Sequence, residues 1–174
     1  METLHPRLRP WREGDLPAFR LIQTDPDIVH WLAGPWTDEQ VEAAFARMLG
    51  GLRERGWGMW AIVDDEGVPV GAAGLQPVRE DLACAPAIEV AWRLRRAHWG
   101  RGYVTGPMRA VLADAAERLQ GEEVIAITSV PNIRSQAVMD RLGFRRDPAA
   151  DFNHPALDAA HPLRRHVLYR LKRF

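Results

Sequence analysis

The stretch Leu94-Arg95-Arg96-Ala97-His98-Trp99-Gly100-Arg101-Gly102-Tyr103-Val104-Thr105 decides how the rest of the chain is read. Upstream of it, Ala87 to Leu94 reads as a strand. Downstream, Met108, Val111, Leu112, Ala115, Ala116 and Leu119 recur at helical spacing. The quoted segment is therefore a strand-to-helix turn. Backbone N–H groups at a helix start lack intrahelical partners, and the helix dipole adds partial positive charge there. Gly100 and Gly102 present no side chain, so an anion can approach the main chain, with Arg95, Arg96 and Arg101 ranged around it. No Gly-Lys-Ser/Thr follows, so this is not a Walker-type loop, and the three-glycine dinucleotide fingerprint is incomplete. On these residues alone, an ordinary glycine turn with solvated arginines fits equally well.

Working outward, Arg7 to Trp11 predicts a short strand. Asp15 is placed to cap a helix from Leu16, with Pro17 tolerated in its first turn. Asp25-Pro26-Asp27 interrupts that helix, a shorter piece follows to Leu32, and Gly34-Pro35 breaks the chain. Thr37 and Gln40 have capping-box spacing, and Val41, Ala44, Phe45, Met48, Leu49 and Leu52 give an amphipathic helix ending before Gly56. Trp57 to Asp64 and Val68 to Val78 read as strands joined by Asp65-Glu66-Gly67. Beyond the central turn, Glu123 to Val130 is a buried-type strand, and Asn132 opens a helix that stops at Gly143. Phe144 starts a strand, Asp147 to Pro162 reads as a long surface loop, and His166 to Arg173 closes the chain as a strand. This order predicts a single α/β domain over residues 1–174 around a mixed sheet.

Composition narrows the partners. The 174 residues include 23 basic and 23 acidic side chains, so no global field favours nucleic acid, a membrane surface or a strongly charged partner. The lone Cys84 cannot form an intramolecular disulfide, which fits a reducing compartment, and it lies in a loop away from the motifs. Met1 to Pro10 lacks a signal-peptide apolar stretch, and no run approaches the ~18 apolar residues of a span. A cytoplasmic protein is expected. The six histidines lack ligand spacing (His161 and His166 are separated by Pro162 and three more residues), so no metal is expected.

Val130-Pro131-Asn132-Ile133-Arg134-Ser135, followed by Leu142-Gly143-Phe144, resembles the Asn-x-x-Ser…Leu-Gly-Phe stretch of GNAT acetyltransferases. The central turn resembles their acyl-CoA pyrophosphate loop, Arg/Gln-x-x-Gly-x-Gly/Ala. Arg7-Leu8-Arg9-Pro10-Trp11-Arg12-Glu13-Gly14-Asp15 and His161 to Tyr169 resemble the subgroup containing the RimJ and RimL ribosomal-protein N-terminal acetyltransferases. The resemblance implies a mixed, mostly antiparallel sheet flanked by helices, whose fourth and fifth strands splay around the pantetheine arm of acetyl-CoA. It implies that the backbone at Trp92, Arg93 and Leu94 pairs with that arm. The amides of Gly100, Arg101, Gly102, Tyr103, Val104 and Thr105 would hold the pyrophosphate, with Asn132 bonding the arm and Ser135 near the thioester sulfur. The sequence departs from the pattern in three places, one of them a residue pair. Ala97 replaces the leading Arg or Gln, Gly106-Pro107 stands where Glu-Ala is frequent, and Met139 occupies the position of a common general-acid tyrosine.

The implied reaction is direct acetyl transfer to a primary amine, which must lose a proton to attack. Glu89 lies where many family members carry a catalytic glutamate, and its flanks Ile88 and Val90 are expected to raise its pKa. Ser135 would assist the leaving thiolate. Apart from the resemblance, Glu89 reads as a solvent-facing strand carboxylate and Asn132 as an ordinary helix cap. The implied acceptor groove lies between residues 31–37 and 147–162. There Trp31 and Trp36 would line it, and Asp38, Asp147, Asp151 and Asp158 would attract a cation; core tryptophans and solvated aspartates remain the other reading. The acceptor is a protein N-terminus or a small-molecule amine, and dimers in the subgroup imply a homodimer. A non-catalytic acyl-CoA-binding module is the alternative.

Overall fold

The computed structural model describes residues 4–32 and 34–171. They form two compact units, one comprising the chain up to Leu75 with Ala91–Asp114, the other Gln76–Val90 with Ala115 onward.

In the first unit, β1 (Leu8–Arg9) lies antiparallel to β2 (Met59–Val63), with Leu8 opposite Ile62. Strand β2 is antiparallel to β3 (Pro69–Pro77), from Met59 opposite Gly74 to Ile62 opposite Gly71. All five residues of β2 are buried, as expected of an apolar run covered on both faces. The β2–β3 turn is tied by Asp64, whose carboxylate accepts from the amides of Glu66 (3.0 Å) and Val68 (2.9 Å). Gly67 takes the positive φ of +80° that the turn requires.

Three helices belong to this unit: α1 (Leu16–Gln23), α2 (Pro26–Val29) and α3 (Asp38–Arg55). The Thr37–Gln40 capping box forms as read, with bonds of 3.3 and 2.9 Å, and α3 ends at Gly56 in the left-handed conformation. Trp11, Phe19 and Phe45 pack at ring separations of 5.3–5.9 Å beside Ile22, Ile28, Val41 and Met59.

Asp15 stands at the N-cap of α1 but makes no side-chain cap bond. Its carboxylate instead takes both Arg9 guanidinium nitrogens (2.6 and 2.9 Å) and the Arg12 amide (2.8 Å). Burial alone would raise this carboxyl; the Arg9 pair and the Arg12 amide outweigh it and hold it below the ordinary carboxylate value. A depressed carboxylate stabilises the fold above its unfolded pKa, and that contribution is lost as pH falls through the folded pKa. Asp15→Asn should therefore cost about 1–2 kcal/mol at neutral pH. The gap from wild type should shrink below about pH 4, as read by urea unfolding at several pH values.

The second unit is built on β5 (Val124–Ser129). It pairs in parallel with the start of β4 (Ile88–Leu94), Ile88 opposite Val124 and Glu89 opposite Ile125. On its other side β5 is antiparallel to β8 (Arg165–Leu171), from Ile125 opposite Arg170 to Ser129 opposite His166. Strand β8 also pairs with β6 (Phe144–Arg146) and β7 (Phe152–Asn153), both antiparallel. Val78, Leu82, Ile125, Phe152 and Leu168 form its apolar cluster. Backbone bonds Arg95 to Val70 and Val78 to Ala87 set β3 and β4 antiparallel. The strand order is β1-β2-β3-β4-β5-β8-β6 with β7 on β8, so the sheet is mixed and mostly antiparallel as expected.

Three readings need correction. Helix α4 (Thr105–Ala115) stops before Ala116 and Leu119, which lie in the following turns, although Leu119 remains buried. Residues 147–162 are not only a surface loop. A 3-10 turn, Pro148–Ala150, leads into β7, and Phe152 and His154 are buried because Phe152 joins the apolar cluster. Of the expected final strand, Lys172 and Arg173 lie outside the described residues. Among the described residues no helix is long and apolar enough to cross a membrane.

Candidate functional site

The central turn leaves β4 through a 3-10 turn, Arg96–His98. The Trp99 indole N–H closes back on the Leu94 carbonyl at 2.7 Å. Gly100 and Gly102 adopt φ of +73° and +78°, are exposed, and a Cβ at either would meet nothing within 4 Å. The main chain is thus open to an incoming group at both glycines. The first bond of α4 runs from the Met108 N–H to the Val104 carbonyl (2.9 Å). The amides of Thr105 and Gly106 therefore precede any intrahelical acceptor. Tyr103 is held from behind, its ring buried under the Arg7 guanidinium (3.8 Å to the centroid) and edge-on to His98 (5.2 Å). Arg95 and Arg96 were expected beside an anion, but they reach Asp25 (3.5 Å) and Asp27 (2.9 Å), leaving Arg101 as the exposed arginine nearest the glycines.

Strand β4 supplies the next part. In a strand, successive residues point their N–H and C=O to opposite edges. Ile88 bonds toward β5 through the Glu123 carbonyl (2.8 Å), and Ala87 bonds toward β3. Val90, Trp92 and Leu94 therefore share the β5 edge with Ile88. The β4–β5 ladder is only two residue pairs long, so the Val90 carbonyl and the Trp92 amide and carbonyl lie beyond it. At Leu94 the carbonyl is taken by Trp99. The Arg93 side chain turns toward Gln23, with which it hydrogen-bonds, and stacks over Trp36 at 4.5 Å. Gln23 is fully buried; nothing in its helical spacing distinguished it from the apolar residues around it, so the sequence reading missed this partner.

Glu89 is half-buried and accepts from the Gln76 amide at 2.9 Å. Ile88 and Val90 point to the other face of β4, so they do not surround its carboxyl as expected. Its real neighbours come from elsewhere in the second unit. Ile125 is its cross-strand partner. Cys84 lies within electrostatic reach, its thiol raised by burial and further by Glu89. The loop cysteine is therefore near Glu89, not remote from the motifs, and it is held in the unreactive thiol form.

Asn132 is buried and caps α5 (Ile133–Arg141) by accepting from the Ser135 amide at 3.2 Å. Ser135, on the first turn, is half-exposed, and Met139 is buried in the core. Neither tyrosine substitutes for the acid that Met139 displaces: Tyr103 is packed under Arg7, and the buried Tyr169 hydroxyl donates to Gln136 at 3.3 Å.

Among the acceptor candidates, Trp36 packs on the core of the first unit as well as on Arg93, and Trp31 lies edge-on to His30 at 4.6 Å. Asp38 pairs with Arg20, Asp147 with Arg170 and Asp151 with Arg146. Three of the four aspartates expected to attract a cation are thus neutralised by arginines. Among the described residues no cluster of three or more metal-ligating side chains occurs.

With this geometry in place, residues 6–145 match the family model described as acetyltransferase (GNAT) domain. The chain belongs to the GNAT acetyltransferase family. Members transfer acetyl groups from acetyl-CoA, and this GNAT protein is correspondingly an acyltransferase. An acetyltransferase structure from Agrobacterium tumefaciens str. C58 is 26% identical with a TM-score of 0.74, covering 95% of this chain and 90% of its own. Two other structures share the GNAT fold. The yncA protein from Salmonella typhimurium, solved with its cofactor acetyl-CoA, is 17% identical (TM-score 0.71, coverage 95% and 92%). Ribosomal-protein-alanine N-acetyltransferase from Brucella melitensis is 19% identical (TM-score 0.73, coverage 96% and 99%).

Proposed function

We propose that this GNAT acetyltransferase moves the acetyl group of acetyl-CoA directly to a primary amine, a protein N-terminus or a small molecule. The observation that carries the donor half is the open edge of β4 at Val90 and Trp92, which leads into a glycine turn with an unobstructed main chain. Trp92, Arg93 and Leu94 would bond the pantetheine through their backbone, Leu94 by its N–H since its carbonyl is taken. The amides from Gly100 to Thr105 would hold the pyrophosphate, with Arg101 adding charge. Asn132 would combine its cap bond with a contact to the arm.

On the acceptor side, Glu89 takes a proton from the attacking nitrogen, directly or through water, and Ser135 donates a hydrogen bond to the departing thiolate. Trp31 and Trp36 contribute apolar wall. Segments Arg7–Asp15 and His161–Tyr169 support a RimJ/RimL-like reading, and with it a cytoplasmic, homodimeric protein organised as one domain over residues 1–174.

The deciding experiment pairs acetyl-CoA titration calorimetry with CoA release measured over peptides, polyamines, aminoglycosides and amino acids. Saturable binding with acceptor-dependent release by at least one amine is expected. Tight binding without any such release would instead make the protein an acyl-CoA-binding module.

A further inference from the structure

The glycine turn is free at its glycines and anchored where they end. Gly100 and Gly102 hold positive φ, are exposed, and have nothing within 4 Å of where a Cβ would stand. Residues with that freedom lose much conformational entropy when their amides must converge on one anion. The residues that limit the loss come next: Tyr103 and Val104 are only 4% and 8% exposed. The Arg7 guanidinium lies over the Tyr103 ring, 3.8 Å from its centroid, and the His98 ring meets it edge-on at 5.2 Å.

Arg7 is itself fixed from several directions, all within the first unit. Its carbonyl accepts from the Val63 N–H of β2 (3.0 Å), and its own N–H donates to Nδ1 of His5 (3.1 Å). The guanidinium pairs with Asp65 in the β2–β3 turn (3.0 Å), while its Nη1 is buried without a hydrogen-bond partner. A guanidinium partly stripped of water is where a cation–π contact is strongest. The His5 ring backs the first turn of α4, since a Cβ at Gly106 would lie 3.3 Å from its Nε2. The segment leading into β1 therefore braces the turn at Tyr103 and the helix start at Gly106. With its charge paired to Asp65, Arg7 acts through the Tyr103 ring rather than as a further phosphate cation.

We propose that Arg7 is a positioning residue for the donor. By seating Tyr103 it pre-forms the amides from Gly100 to Thr105 for the pyrophosphate, and so raises acetyl-CoA affinity about tenfold. This rests on the donor half of the reading above. The effect belongs to the pyrophosphate, so a donor that ends before that group does not feel it.

Arg7→Gln removes the cation and is the first test. Calorimetry should show acetyl-CoA affinity weakened about tenfold. In turnover with an amine acceptor, the acetyl-CoA KM should rise about tenfold while kcat stays within about twofold. S-acetylpantetheine lacks the pyrophosphate, and kcat/KM with it should stay within about twofold of wild type. Arg7→Lys keeps a charge for Asp65 but loses the flat guanidinium face, and affinity should fall about threefold. Tyr103→Leu keeps apolar bulk without the π face and should match Arg7→Gln, and the double variant should bind no worse than either single one. If Arg7→Gln does not fold, Arg7→Lys and Tyr103→Leu decide by the same calorimetry. Unchanged acetyl-CoA affinity in the folded variants, equal losses with acetyl-CoA and S-acetylpantetheine, or additive losses in the double variant would each overturn the positioning role and leave the donor site standing. If wild type does not bind acetyl-CoA, both readings fall.

Discussion

Glu89→Gln is expected to lower kcat by about 10²–10³-fold while leaving acetyl-CoA affinity within about twofold. The substitution is nearly isosteric, and the new side-chain carbonyl can still accept the hydrogen bond that Gln76 donates at 2.9 Å. The lost property is the ability to take a proton. That loss falls on the chemical step, because the nitrogen must shed protons to form an amide. Peptide N-termini, with an ordinary pKa of about 7.7–8.0, should suffer less than lysine-like amines near 10.4, since more of the terminal amine is already neutral. Turnover against pH in the presence of saturating acetyl-CoA reads the effect. A variant that kept full turnover across the pH range would remove Glu89 from the reaction.

Gly71→Ala should be among the most damaging single substitutions outside the reacting groups. Gly71 sits in β3, and a Cβ there would overlap the Arg93 carbonyl oxygen of β4 and press on Leu94 at 3.0 Å (Cδ1) and 3.2 Å (Cα). Two of those three atoms are backbone, so no side-chain rotation relieves the overlap. Strands β3 and β4 would have to separate at Arg93 and Leu94, where the donor arm is proposed to bind. A loss of about 3 kcal/mol is expected, which for a chain of this size lowers Tm by roughly 6–12 °C. Thermal unfolding measures the stability cost. Calorimetry should show acetyl-CoA binding weakened at least tenfold, even at temperatures where the variant is folded.

The two predictions differ in how visible their residues were beforehand. Glu89 was picked out by resemblance, but the reason first attached to it, apolar neighbours at Ile88 and Val90, fails because a strand turns those side chains away. The importance of Gly71 was invisible, since the residue it would strike lies 22 positions away in a different strand. The aspartates show the same divide. Asp38, Asp147, Asp151 and Asp158 looked alike as acidic residues bordering the implied groove, and only folding brings Arg20, Arg170 and Arg146 against three of them.

Features set by bonds between near neighbours in the chain were readable from it directly. The Thr37–Gln40 capping box, the Asn132 cap, the stops at Gly56 and Gly143 and the open turn at Gly100 and Gly102 each depend on residues within a few positions of one another. The order of strands and helices followed from them. Tertiary structure alone decided what depends on register and on opposing elements: which edge of β4 is left beyond the ladder, where the Arg95 and Arg96 charges go, and that His154 and His166, twelve residues apart, meet beside Ser129. Strand pairing brings distant residues within contact distance through hydrogen bonds that specify no side chain, so local pattern cannot encode the meeting. The turn at His98 to Tyr103 belongs to both accounts. Its glycines were legible in sequence, while the Arg7 guanidinium that seats Tyr103 behind it comes from the far end of the unit's sequence and was supplied by the fold.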